Sequence, residues 1–231
     1  MIKLVVCDLD GTLAQIGRGI PAESIELLRA LEAHGVRIAI CSGKPTYYLC
    51  GMMRQVGLRA PVLVGENGAV IQFGVDLPPR TYCVAPYSGA ARESLRLLRA
   101  AFDAAVPGMW YQPNEVGLTP FPQEEAQLNV LQGCIDALAP KLRDVIVYRH
   151  GDCFDITPEG ITKKSGVERL CAMLGVAPQE AAAMGDGVND YPMFEAVGLA
   201  LGIGLPDTAR VDRNFGTAAE ALAYLLEKMG E

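Results

Sequence analysis

The chain has 231 residues, half of them hydrophobic, and its 20 Lys and Arg against 27 Asp and Glu leave a net charge of −7. That length suits one large α/β domain, or a core that carries a smaller insertion. No basic run rises above the acidic background, which argues against a binder of nucleic-acid backbone, and no apolar stretch is long enough to span a bilayer.

Residues 2–7 form a short β-branched apolar run with Asp8 at its end, which predicts a buried parallel strand. Pro21 then opens a helix with Ile25, Leu28 and Leu31 at helical spacing, and Gly35 closes it. A second buried strand over 36–41 ends at Ser42-Gly43, a helix follows over 47–56, and a third strand occupies 62–64. This β-α-β-α-β order with short connections predicts a parallel sheet covered by helices on both faces. The rhythm changes at the turn Gly65-Glu66-Asn67-Gly68, after which 69–73 reads as a hairpin arm and Pro78-Pro79 breaks the chain. From 81 to 155 the pattern predicts a strand, a helix (88–105), a strand (109–119), a helix (124–142) and a strand (145–148). Thr157-Pro158-Glu159-Gly160 reads as a return linker. A helix over 163–174, a strand over 181–184, a helix over 190–196, a strand over 199–201 and a closing helix over 218–229 complete the chain. The fold class expected is therefore α/β: a Rossmann-like parallel-sheet core from residues 1–80 and 156–231, with a smaller α+β module inserted over 81–155.

The seven cysteines are odd in number, form no C-x-x-C pair, and several lie inside apolar runs. Reduced, they behave as small hydrophobes, which fits a cytoplasmic protein. Lys3, followed by acidic residues within the first ten positions, predicts no signal peptide.

Four polar clusters lie where predicted strands end or a helix opens: Asp8-x-Asp10-Gly11-Thr12, Ser42-Gly43, Lys163, and Gly185-Asp186-x-x-x-Asp190. In an open parallel sheet, ligands bind beyond the carboxyl ends of the strands, so all four are expected to converge there. Asp8, Asp10, Asp186 and Asp190 would then crowd around one lysine, and such a crowd raises its own pKa values unless a cation intervenes. Hard carboxylate oxygens without His or Cys select magnesium over zinc. Asp8, at the strand tip, suits a nucleophile that forms an aspartyl-phosphate. Asp10, two residues on, suits a general acid that protonates the leaving oxygen and later deprotonates water. Ser42 and Lys163 suit holding a transferring phosphoryl group. Asp186 is the better second metal ligand, while Asp190 could ligate through water or orient Lys163.

These residues resemble the motif set of the haloacid dehalogenase superfamily. Asp8-Leu9-Asp10-Gly11-Thr12-Leu13 matches its first motif, Ser42-Gly43 its second, Gly160-Ile161-Thr162-Lys163 its third, and Gly185-Asp186-Gly187-Val188-Asn189-Asp190 its fourth. The cap placed between the second and third motifs is similar to the type IIB (Cof-type) arrangement. Within that subgroup the short chain and small cap look most like archaeal-type phosphoglycolate phosphatases. The resemblance implies magnesium held by Asp8, the Asp10 carbonyl and Asp186, and an acid at Asp10 that metal-free dehalogenases lack. It adds Thr12, Gly43 and Asn189 as candidate substrate contacts beside Ser42 and Lys163. Lys44, Cys41 and Ile203 depart from the common pattern without removing a catalytic group.

The function expected is hydrolysis of a small phosphorylated metabolite, phosphoglycolate or a sugar phosphate, by a monomer or homodimer that engages neither nucleic acid nor membrane. A phosphomutase and a non-catalytic receiver-like module are the rivals. Taken singly, the D-x-D-G-T string is equally a calcium-binding turn, Ser42 an N-cap, and Asp186 and Asp190 a favourable pair at a helix start. In the inserted module, Trp110, Tyr111, Asn114, Glu115, Arg149 and His150 read first as surface or packing residues.

Overall fold

A computed structural model describes residues 1–230. The chain divides into two compact units, one formed by Met1–Cys83 together with Thr162 onward, the other by Val84–Ile161.

The first unit is built on β1 (Leu4–Cys7), β2 (Arg37–Cys41), β3 (Val62–Gly65), β4 (Val70–Phe73) and β5 (Thr81–Val84) from the first half of the chain. The second half adds β10 (Ala181–Gly185), β11 (Leu199–Ile203) and β12 (Arg213–Phe215). They form one sheet in the order β12-β11-β10-β1-β2-β3-β4-β5. The pairs from β12 through β3 are parallel, and β4 returns antiparallel against β3. Side-chain alternation along β1 divides the core. Val5 and Cys7 join α1 (Ala22–Ala33), α2 (Thr46–Val56) and α7 (Ala218–Gly230) on one face. Leu4 and Val6 join α5 (Lys163–Leu174) and α6 (Tyr191–Phe194) on the other. Both faces are covered, so these strands read as unbroken apolar runs. Leu28, Leu49 and Leu170 are each fully buried, and each such side chain stabilises by roughly 1.5–3 kcal/mol.

The second unit contains α3 (Gly89–Ala105), α4 (Glu125–Leu138), the hairpin β6 (Trp110–Gln112) with β7 (Thr119–Phe121), and the antiparallel pair β8 (Val145–Arg149) with β9 (Phe154–Pro158). Phe102, Leu98, Leu131, Phe154 and Ile156 are fully buried in its own core.

Four expectations change. Residues 81–84 extend the large sheet beside β4 instead of opening the inserted module. The single strand expected over 109–119 is two short strands, because Pro113 and Gly117 interrupt it. The stretch that begins with Thr157 is no linker but the end of β9, which pairs with β8 from Val145↔Pro158 to Arg149↔Phe154. The helix expected over 124–142 stops at Leu138, where a 3-10 turn containing Pro140 follows.

Candidate active site

Each polar cluster hangs on the end of a strand or the start of a helix. β1 ends at Cys7, and Asp8 is held there by its own N–H, which donates to the Met184 carbonyl at 2.9 Å. β10 ends at Gly185 and hands over to Asp186. β2 ends at Cys41, and the Ser42 N–H continues the ladder to the Val64 carbonyl at 3.0 Å. Lys163 opens α5, whose N-cap Thr162 accepts a hydrogen bond from the Ser165 N–H at 3.2 Å. The cap satisfies one of the otherwise unpaired N–H groups of the first turn, the turn from which Lys163 projects.

The ammonium of Lys163 donates to Asp8 Oδ1 and to Asp190 Oδ1, both at 2.6 Å. The side chains of Lys163, Asp8 and Asp190 are 2%, 5% and 0% exposed. The other Asp190 oxygen accepts from the main-chain N–H groups of Asp186 and Gly187 at 3.0 and 3.1 Å. Both Asp190 oxygens are therefore engaged, the arrangement of a group that orients a lysine. Thr12 donates its hydroxyl to Asp186 Oδ1 at 2.7 Å. Oxygens of Asp8, Asp186 and Asp190 lie within 4.8 Å of one another.

Two glycines make this packing possible. Gly11 has φ +92°, and a Cβ there would overlap the Asp186 carboxylate; a Cβ on Gly185 would overlap the side chain of Asp190.

More carboxylate than ammonium is buried here, and the ionisation follows. Burial raises the Asp8 carboxyl to about 6; Lys163 opposes that rise, while Asp190 and Asp186 reinforce it. Burial alone would depress the Lys163 ammonium, but Asp8 and Asp190 outweigh it and hold Lys163 charged. Asp186 is shifted upward, first by burial. Burial pushes the Cys41 thiol up to about 12 and Cys7 higher still. Both thiols stay neutral, so neither offers a thiolate to a metal. The donor set is thus oxygen alone, the set that suits a hard divalent cation.

The other residues singled out in the sequence fall around this centre. The Asp10 carboxylate stands outside the three-carboxylate group, 28% exposed, with Lys44 Nζ 3.9 Å away. Ser42 is buried, and its Oγ accepts from the Lys44 N–H at 3.2 Å. It is not the N-cap of α2, which is Pro45. A Cβ on Gly43 would meet the Asn67 amide at 3.4 Å. Asn189 is exposed on a 3-10 turn over Val188–Asp190.

Sequence reasoning left two contributors unassigned. Glu66 is buried at φ +52°, on a turn whose N–H donates to the Lys44 carbonyl at 3.0 Å. Gly166, inside α5, lies against Gly68, and a Cβ on either would overlap the other's segment. A glycine in a helix interior costs stability relative to alanine, and that cost was the available signal.

The sequence profile described as haloacid dehalogenase-like hydrolase matches residues 5–77 and 121–205. Phosphoglycolate phosphatase of Methanopyrus kandleri is 26% identical over 211 residues, covering 87% of this chain and 84% of that protein. In fold, a haloacid dehalogenase-like hydrolase from Bacteroides thetaiotaomicron superposes with a TM-score of 0.80 at 18% identity, covering 97% of this chain and 100% of that one. A subclass IIB sugar phosphatase of the same superfamily superposes with a TM-score of 0.71 at 20% identity, covering 99% of each chain.

Proposed function

The chain belongs to the haloacid dehalogenase-like hydrolase family, and on that premise we propose that it is a magnesium-dependent phosphatase of small phosphorylated metabolites. The observation that carries this reading is the Lys163 ammonium, buried and bridging Asp8 and Asp190 at 2.6 Å each, beside Asp186. Such a centre holds a carboxylate nucleophile at a strand tip and supplies positive charge where phosphate oxygens gather.

Asp8, Asp186 and the Asp10 main-chain carbonyl are the groups that would hold magnesium. When bound, it neutralises charge on the phosphate oxygens and offsets repulsion among the carboxylates. In the first half-reaction, a carboxylate oxygen of Asp8 attacks phosphorus, and the bond from phosphorus to the leaving oxygen breaks. Asp10 gives its proton to that oxygen, and the alcohol departs. In the second, water attacks the aspartyl-phosphate, Asp10 takes a proton from it, and the bond between phosphorus and Asp8 breaks to release phosphate. Lys163 stays charged throughout, held by Asp190. Asp186 is aimed by the hydroxyl of Thr12, and Ser42 and the Gly43 N–H hold phosphate oxygens.

Phosphoglycolate or a sugar phosphate is the substrate this reading favours, supported by the curated relative at 26% identity. The test is a hydrolysis screen over phosphorylated metabolites with magnesium, with chelator, and with Asp8→Asn. Turnover by the wild type is expected to vanish with chelator and return with magnesium. In the mutant it is expected to fall about 10⁴-fold or more, as removal of a nucleophile does elsewhere. Turnover retained by Asp8→Asn removes Asp8 from the nucleophile's role.

A further inference from the structure

We propose that Lys44 grips an anionic group on the leaving alcohol, so that the enzyme prefers phosphomonoesters whose alcohol part carries its own negative charge. This rests on the phosphatase reading and on Asp10 as the group that protonates the leaving oxygen. Whatever touches the Asp10 carboxylate then lies on the leaving-group side of the phosphorus, and Lys44 Nζ is 3.9 Å from Asp10 Oδ2.

The two lysines of this site are held very differently. Lys163 is 2% exposed and makes two 2.6 Å bonds to carboxylates. Lys44 is 35% exposed in its side chain, and its contact with Asp10 is longer than a charge-assisted hydrogen bond of about 2.7–2.9 Å. An ammonium has three donors, and at that distance those of Lys44 remain available to a ligand.

The main chain beneath Lys44 is rigid. Its N–H donates to Ser42 Oγ at 3.2 Å, and its carbonyl accepts from the Glu66 N–H at 3.0 Å. Gly65 packs so tightly on that carbonyl that a Cβ would approach it to 2.9 Å. A part-exposed cation launched from a main chain held by hydrogen bonds suits recognition better than a free surface lysine.

The test compares two esters of nearly equal size, 2-phosphoglycolate and 2-hydroxyethyl phosphate, which differ in a carboxylate against a hydroxymethyl group. The readout is the ratio of their kcat/KM values in wild type, Lys44→Gln and Lys44→Arg, each checked for an unchanged Tm. For Lys44→Gln the ratio is expected to fall about tenfold, the order a single charge contact at a part-exposed site supplies. The loss should lie mainly in KM for phosphoglycolate. Lys44→Arg should recover most of it, and added salt should weaken the wild-type preference. A ratio unchanged in Lys44→Gln overturns this inference alone. Failure of the wild type to hydrolyse either ester while it turns over an uncharged sugar phosphate also overturns this inference, whereas failure on every phosphomonoester of the screen overturns the phosphatase reading beneath it.

Discussion

The two units use buried polar groups for opposite ends. In the sheet-based unit, Lys163, Asp8 and Asp190 gather charge where it is costly, at the tips of strands with apolar side chains on both faces. In the Val84–Ile161 unit, the buried polar side chains are neutral, and Gln112, Asn114 and Thr119 bond in a chain that ends at Asp155. Gln112 donates to Asn114, Asn114 to Thr119, and Thr119 to Asp155, at 2.7, 2.9 and 2.8 Å, and His150 faces the far oxygen of Asp155 at 3.4 Å. The first arrangement is the one the proposed reaction draws on; the second ties together residues from three short strands. Buried ionic groups impose large penalties when broken, whereas a broken neutral chain costs the smaller penalty of the groups left unbonded.

That contrast can be broken at its strongest point first. Lys163→Met leaves Asp8 and Asp190 buried without their cation, and about 3–5 kcal/mol of stability should be lost at pH 8 in urea unfolding. The loss should shrink toward pH 5, because the Asp8 carboxyl, raised to about 6, is then protonated. A loss independent of pH would mean that Lys163 acts through packing rather than charge.

A smaller effect sharpens the other side. Thr119 accepts from Asn114 and donates to Asp155, so Thr119→Val should cost about 1–3 kcal/mol. Thr157, on β9, has a buried hydroxyl with no hydrogen-bond partner among the described residues. Thr157→Val should therefore be neutral or stabilise by about 1 kcal/mol. Equal losses in the two variants would refute the bonding chain as a source of stability.

The smallest effect is a pH dependence. The hydrogen bond to Asp155 raises the His150 pKa above 6.5 in the folded protein. Its contribution is fully present below the unfolded value of 6.5 and is lost as pH rises through the higher folded value. The imidazole is nearly half exposed, so solvent screens the gain. The urea midpoint should drift down from pH 6 to pH 8 in the wild type, and less so in His150→Gln.

How much of this could be read in advance follows the same division. β1, α1, β2, α2 and α5 were legible because each is either a continuous apolar run or a 3.6-residue pattern closed by glycine. The site was legible because its charged residues sit at strand ends within short motifs, which fixes their direction once the strand is known. Val84–Ile161 was less so. β6 and β7 are three residues each, too short for alternation to announce them. β9 was hidden by a Thr-Pro-Glu-Gly string with the look of a turn, and only its partner β8 makes it a strand. Lys44 carries no motif of its own; its meaning lies in a distance to Asp10 across 34 residues of chain.

The contact between Gly68 and Gly166 has a consequence for the lysine at the start of α5. The helix rests on the turn main chain to main chain, and Arg169 clamps it there by donating to the Gly68 carbonyl at 3.1 Å. No flexible side chain intervenes to absorb error. The seating depth of α5, and hence the reach of its leading ammonium, is calibrated by the thickness of two bare peptide backbones. A single methyl at either glycine would act as a shim, lifting the whole rod and detuning the charge at its tip without touching one acidic residue.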